Sequence, residues 1–383
     1  MSQTPLTSQT SPSHPSRPEI VAAFNPSRLA LALSRRAVVR GEFCKRVGIS
    51  TRALRAFEKG EKRPSMATLS RLADELEFPI HFFFRGDAPT ISADAASFRA
   101  LSTMTITKRD QALAAGALAA DLASWIDGRF DLPDPDVPRF ASIDPDRAAE
   151  LVRNEWGLGE GAAPNMIYLV EAHGVRVFSI SDDYADVNAY SLWRDGVPFM
   201  FLNTLKSAEN GRFDVAHELG HLVLHGHHEA PRGREYEHEA NLFASAFLMP
   251  RGSVLASRLA GATLPTIIQA KRRWGVSAMA LIVRLHAVGL ITDWHYRSLC
   301  VEAGKSGYRK QEPAPMPRES SQLLQKVFGY LRSEGLALSN VADALGITKN
   351  ELERLVFGLV PTAVGGGGEA TSDGRASLRL VRP

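Results

Sequence analysis

The chain has 383 residues, 44% of them hydrophobic and 23% charged, with a formal net charge of +3. That length exceeds one ordinary core and predicts two or three domains, while so small a net charge gives no reason by itself to infer a nucleic-acid partner. Two cysteines, Cys44 and Cys300, argue against a disulfide framework and against a cysteine-rich metal site. No apolar run approaches the ~20 residues that span a bilayer. The polar, Pro/Ser-rich start lacks the basic-then-apolar layout of a signal peptide. The chain therefore reads as soluble and cytoplasmic, with no membrane partner.

Residues 1–18 are low-complexity and predict a disordered tail. Residues 19–90 read as short helices separated by turns. A helix over 42–47 places Phe43 and Val47 on one face, and Gly48 permits a turn. Ser50 then caps a helix running to about Glu58, with Leu54 and Phe57 facing inward. Gly60 ends it, and Pro64 and Ser65 start another that holds Leu69, Leu72 and Ala73. Two short helices joined by a glycine turn are a helix-turn-helix layout. This stretch resembles the Xre/Cro-type repressor domain, including Ser50, Glu58, Gly60 and the pair Pro64 and Ser65. The resemblance implies double-stranded DNA as a partner, with the second helix in the major groove. Thr51, Arg52 and Arg55, beginning at the Ser50 cap, would then read bases, and Lys59, Lys62 and Arg63 would contact phosphates. Over 19–90, thirteen Lys and Arg stand against eight Asp and Glu, a local positive excess where those contacts should be.

Residues 91–137 predict a helical linker, with helical periodicity over 111–126 and a Pro/Asp-rich break over 131–138. The block 138–303 mixes strand and helix patterns. Asp144 caps a helix through Trp156, and residues 175–180 form a strand. Residues 190–202 predict a β-hairpin turning at Asp195 and Gly196. The next helix carries an HExxH. His217 and His221 stand four apart, so both imidazoles lie on one helical face and can reach a single ion. Glu218 beside them can take a proton from a water activated by zinc. A preceding hairpin offers an edge strand with which an extended peptide substrate could pair.

A third ligand has several candidates. His227 follows His217 by ten residues, but the glycine turn which that arrangement needs is replaced by Leu224. His225 and His228 read as solvated residues near the helix end. On the next helix, about 235–249, Glu237 and Asn241 stand four apart and face the same way. Glu237 is the better candidate, with Asn241 orienting a ligand histidine from behind. Glu239 and Glu235 fit less well.

The residues His217, Glu218 and His221, then Glu237, Ala240, Asn241, Phe243 and Ala244, then Leu248, Met249 and Pro250, resemble the ImmA/IrrE family of metallopeptidases. The resemblance covers roughly 138–299. It implies a gluzincin-like α+β domain, a Zn2+ cofactor, and a protein substrate that is a partner transcriptional repressor.

Residues 304–320 read as a further linker. Residues 321–360 repeat the short-helix layout, with Thr348 capping a helix that carries Glu351 and Glu353. Those carboxylates would repel phosphate, so residues 304–361 predict a linker and a helical unit, either a packed accessory domain or a docking or dimerisation module compatible with a homodimer. Residues 362–383 predict a second disordered tail. The expected architecture is multidomain and mainly α with an α+β core. It comprises an N-terminal five-helix DNA-binding domain, a central metallopeptidase domain and a C-terminal helical unit. The expected function is a DNA-binding regulator with a zinc-dependent endopeptidase. The alternative is a transcription factor whose metallopeptidase-like domain is a catalytically silent sensor or dimerisation module.

Overall fold

The computed structural model describes residues 24–91, 96–98, 105–180, 189–226, 233–308, 311–360 and 379–380. The expected tail 1–18 lies outside the described residues. So do His227, His228 and 362–383, apart from Arg379 and Leu380.

Four short helices come first: α1 (Pro26–Arg35), α2 (Arg40–Val47), α3 (Thr51–Glu58) and α4 (Met66–Leu76). The side chains of Ser50 and Ser65 accept hydrogen bonds from the amides of Ala53 and Thr68, satisfying donors that the first turn leaves unpaired. Gly48 closes α2 at φ 71°, a left-handed value that costs any other residue more. Leu29, Phe43, Leu54 and Leu72 fill the core between these helices. The fifth element is a 3-10 helix, Ile80–Phe84, rather than an α-helix. Pro79 precedes it, and three consecutive phenylalanines cannot all share one α-helical face.

The next elements are β1 (Ala96–Phe98), α5 (Ile106–Asp127) and β2 (Phe130–Asp131), which pairs with β6 (Arg379–Leu380). α5 stands where a linker was expected, yet it is a core element. Ala112, Ala115, Leu118, Ala119, Leu122 and Ile126 are all buried. Small side chains let it lie against several neighbours at once, including α1 and the central sheet.

The sheet joins β1 to β3 (Arg176–Ile180), β4 (Ala189–Arg194) and β5 (Val197–Asn203), in the order β1-β4-β5-β3. β4 and β5 form the expected hairpin. Asp195 and Gly196 both adopt positive φ, 50° and 80°, as a tight two-residue turn between twisted strands requires. Period-two alternation then splits β4 between two layers. On one face the Tyr190 hydroxyl donates to the Ala112 carbonyl of α5 at 2.9 Å. On the other, Ser191 and Trp193 reach α8 (Ala208–Leu224).

Between β2 and β3 lie α6 (Pro145–Glu155) and α7 (Met166–Ala172), and α8 is followed by α9 (Arg234–Leu248). α8 and α9 pack closely at Gly220, where an added Cβ would stand 3.2 Å from the Phe243 Cβ and 3.3 Å from the Ala240 Cα. α6 covers α9, and its buried Arg153 donates to the Phe247 carbonyl at 2.6 Å. Four helices complete this region: α10 (Arg251–Leu255), α11 (Leu264–Ala270), α12 (Ala278–Ala287) and α13 (Asp293–Lys305).

Residues 311–320, within the stretch expected to be a linker, are pinned to this region by buried charges. Lys271 Nζ lies 3.1 Å from both Glu209 and Glu312, and Arg212 pairs with Glu319. The chain then forms α14 (Gln322–Ser333), α15 (Leu338–Leu345) and α16 (Lys349–Val356). This unit touches both earlier regions. Glu171 of α7 accepts from the Ser321 hydroxyl and the Leu323 amide, and Thr204 donates to the Phe357 carbonyl. Glu351 bonds Arg35 at 2.5 Å and Arg36 at 2.8 Å, both at the end of the α1 turn. Its carboxylate therefore serves an internal contact, not a surface that repels phosphate. No helix among the described residues is long and apolar enough to cross a membrane.

Candidate metal centre

The HExxH sits in the C-terminal half of α8, with β4 on one side and α9 on the other. Helical spacing puts His217 and His221 one turn apart, and both are buried. Their Nε2 atoms face each other at 3.1 Å. Glu237, in the first turn of α9, brings its carboxylate to the same point. One oxygen lies 3.3 Å from His217 Nε2 and the other 3.5 Å from His221 Nε2.

These spacings suit one ion. Tetrahedral bonds of about 2.0–2.1 Å place ligand atoms roughly 3.3–3.4 Å apart along each edge. Two imidazole nitrogens and one carboxylate oxygen, all within 4.8 Å of one another, form a donor set typical of a zinc site with an open fourth position. Among the described residues this is the cluster of metal-ligating side chains that converges in this way. Burial by itself would raise the Glu237 carboxyl. The hydrogen bonds and charge of His217 and His221 outweigh that effect and hold it down at about 2, so it is a carboxylate at neutral pH.

The outer ring nitrogens are also held. His217 Nδ1 lies 3.1 Å from Asn241 Oδ1, and the Asn241 amide nitrogen donates to the Glu237 carbonyl at 2.7 Å. Asn241 therefore ties one candidate ligand to the backbone of another. His221 Nδ1 faces His225 Nδ1 at 3.0 Å, and His225 Nε2 lies 2.8 Å from Glu239. His225 is buried, in contrast to the solvated position expected for it, and Glu239 points to His225 and not into the donor cluster. Glu235 is exposed.

Glu218 is buried beside the ligands, and Ser191 of β4 donates to its carboxylate at 2.7 Å. Reasoning along the sequence missed Ser191, because only the fold of the hairpin against α8 brings it there. The edge expected to be open to a substrate is covered. β1 pairs antiparallel with β4, matching Ala96 with Leu192, Ser97 with Ser191 and Phe98 with Tyr190. A cavity of about 1120 Å³ opens on the C-terminal unit, bordered by Phe328, Leu336 and Phe357. It holds none of these polar groups, so convergence of donors and not volume locates the site.

In the N-terminal region, Ser50, Thr51, Arg52, Arg55, Lys59, Lys62 and Arg63 are all exposed. Arg52 and Arg55 rise from α3 on the side opposite the buried Leu54 and Phe57, and Glu58 is engaged by Arg40.

Residues 40–83 match the family model described as helix-turn-helix, and residues 170–286 match the IrrE N-terminal-like domain of the peptidase M78 family. The second match starts in α7, ends in α12 and contains His217, Glu218, His221, Glu237 and Asn241. No curated protein matches the chain. The chain thus carries a DNA-binding type of domain followed by a metallopeptidase-like domain.

Proposed function

We propose that this protein is a DNA-binding regulator whose central domain is a zinc-dependent endopeptidase acting on a protein partner, most simply a transcriptional repressor. The observation that carries the proposal is the meeting of His217, His221 and Glu237 beside a buried Glu218. In this reading His217, His221 and Glu237 hold Zn2+. Bound there, zinc would supply Lewis acidity, polarising a peptide carbonyl and making water easier to deprotonate. Glu218 takes the proton from the attacking water and returns it to the leaving amine. Ser191 keeps that carboxylate aimed, and Asn241 keeps the His217 ring turned toward the ion. An extended substrate would pair with β4, taking the place of β1.

The N-terminal domain supplies the address. With α3 in the major groove, Thr51, Arg52 and Arg55, following Ser50, read bases, and Lys59, Lys62 and Arg63 hold phosphates. The two activities occupy separate surfaces, so they separate by mutation. Glu218→Gln should keep zinc and operator DNA while cleavage of the partner falls by about 10²- to 10⁴-fold. Arg52→Ala should weaken operator binding by about 1–3 kcal/mol in a gel shift, with peptide cleavage intact. Equal cleavage by the Glu218→Gln protein would contradict the reading.

A further inference from the structure

Behind His221 stands a pair of side chains whose chemistry leaves one consistent assignment of protons. The His221 and His225 rings meet through their Nδ1 atoms at 3.0 Å, a contact that needs one donor and one acceptor. If His221 offers Nε2 to an ion, that nitrogen carries no proton and its Nδ1 must be the donor. His225 then accepts at Nδ1, which places its own proton on Nε2. That nitrogen lies 2.8 Å from a Glu239 oxygen, within reach of a carboxylate acceptor. The geometry therefore fits Nδ1–H of His221 donating to His225, and Nε2–H of His225 donating to Glu239.

We propose that His225 and Glu239 are positioning residues for the metal centre: a histidine–carboxylate relay that fixes the orientation of the His221 ring and raises its basicity. The proposal rests on the zinc reading above. Its local architecture is specific. His225 lies immediately after the last residue of α8, at φ −118°, off the helical path. There its ring can turn back along the helix to His221, four residues earlier. It is 7% exposed, with Tyr236 edge-on to its ring at 5.1 Å, so little water competes for its nitrogens. Glu239 comes from α9, two residues after Glu237, and so points to the other side of that helix start. The two imidazoles of the centre are thereby supported unequally. His217 is backed by the neutral amide of Asn241, and His221 by an imidazole joined to a carboxylate. A carboxylate at the far end of such a chain stabilises positive charge on the ligand ring and so strengthens its bond to a cation.

Zinc affinity tests this directly, by competition of the full-length protein with a chromophoric chelator. His225→Ala should weaken zinc binding by about 10- to 100-fold and Glu239→Ala by about 10-fold, as losses behind metal ligands do. Glu239→Gln, which keeps an acceptor and loses the charge, should fall between Glu239→Ala and the parent. The exposed Glu235→Ala should match the parent within about twofold, a span small beside those expected losses. Melting of the chelated proteins separates a merely structural role. The metal-free midpoints of the Glu239 variants should equal that of the parent, while the rise on adding zinc shrinks. Parent-like zinc affinity in both His225→Ala and Glu239→Ala, with zinc lost from His221→Ala, would overturn the relay alone. Zinc retained by His221→Ala, or absent from the parent, would overturn the zinc reading and the relay with it.

Discussion

A carboxylate that moves a proton must be held at the right angle as well as the right distance, and in the proposed mechanism Ser191 does this for Glu218. The hydroxyl donates to Glu218 at 2.7 Å from a strand that the sequence places some thirty residues earlier. A hydrogen bond to a charged group contributes about 1.5–3 kcal/mol. Ser191→Ala should therefore lower the turnover of a peptide substrate on the order of 10-fold without changing the zinc content. Unchanged turnover would remove Ser191 from the machinery. The contrast with the histidines shows what a sequence discloses. His217 and His221 were legible because helical periodicity alone puts residues four apart on one face. Glu237 and Asn241 were legible for the same reason, one helix later. The contacts of Ser191, His225 and Glu239 were not, because they are set by how β4, the end of α8 and the start of α9 meet. No spacing along one element encodes that meeting.

At the scale of elements, the sheet edge beside α8 is the feature with the most consequence. β1 contributes three residues to β4, and Ser97 sits opposite Ser191. So short a pairing is held by few backbone hydrogen bonds and is open to exchange for another strand. Proline at its centre removes an amide donor and disfavours the pairing. Ser97→Pro should speed cleavage of an unfolded peptide several-fold while zinc binding stays the same; a slower or equal rate would show that β1 does not occupy the substrate's place. The hairpin that forms the rest of this surface could be read from Asp195 and Gly196, since their turn dictates the backbone locally. β1 could not, since three residues carry no usable alternation. α5 was visible as a helix, but its place in the core was not. Its buried faces are largely alanine, so it lacks the one-sided apolar stripe that marks a packed helix.

Across the whole molecule, the C-terminal unit ties the two other regions together through charges that are buried. Burial alone would raise the Glu351 carboxyl, but Arg35 and Arg36 outweigh it and hold the group below its usual range. Removing Glu351 would break an ion pair buried on both sides, since the Arg35 and Glu351 side chains are each 1% exposed. Glu351→Ala should cost about 3–5 kcal/mol in urea unfolding, and a change under about 1 kcal/mol, the size of an exposed pair, would argue against the clasp. Glu171, at the other contact of this unit, behaves in the opposite sense. Burial pushes its carboxyl up to about 7, against the pull of Ser321, the Leu323 amide and Arg176. A raised acid favours the folded state fully below its unfolded value of 4.5 and loses that contribution as pH rises through about 7. The parent should therefore lose stability between about pH 4.5 and 7, and the Glu171→Gln protein should show a flatter profile. Neither contact could be foreseen, since Arg35 and Glu351 are separated by most of the chain. The central claim is that a regulator with a helix-turn-helix cuts a protein partner at the centre built by His217, His221, Glu237 and Glu218. It is tested most directly by incubating the zinc-loaded protein with candidate repressors, alongside chelated and Glu218→Gln protein. The account predicts discrete fragments of one repressor with the zinc-loaded parent alone; fragments that persist with chelator or with Glu218→Gln would contradict it.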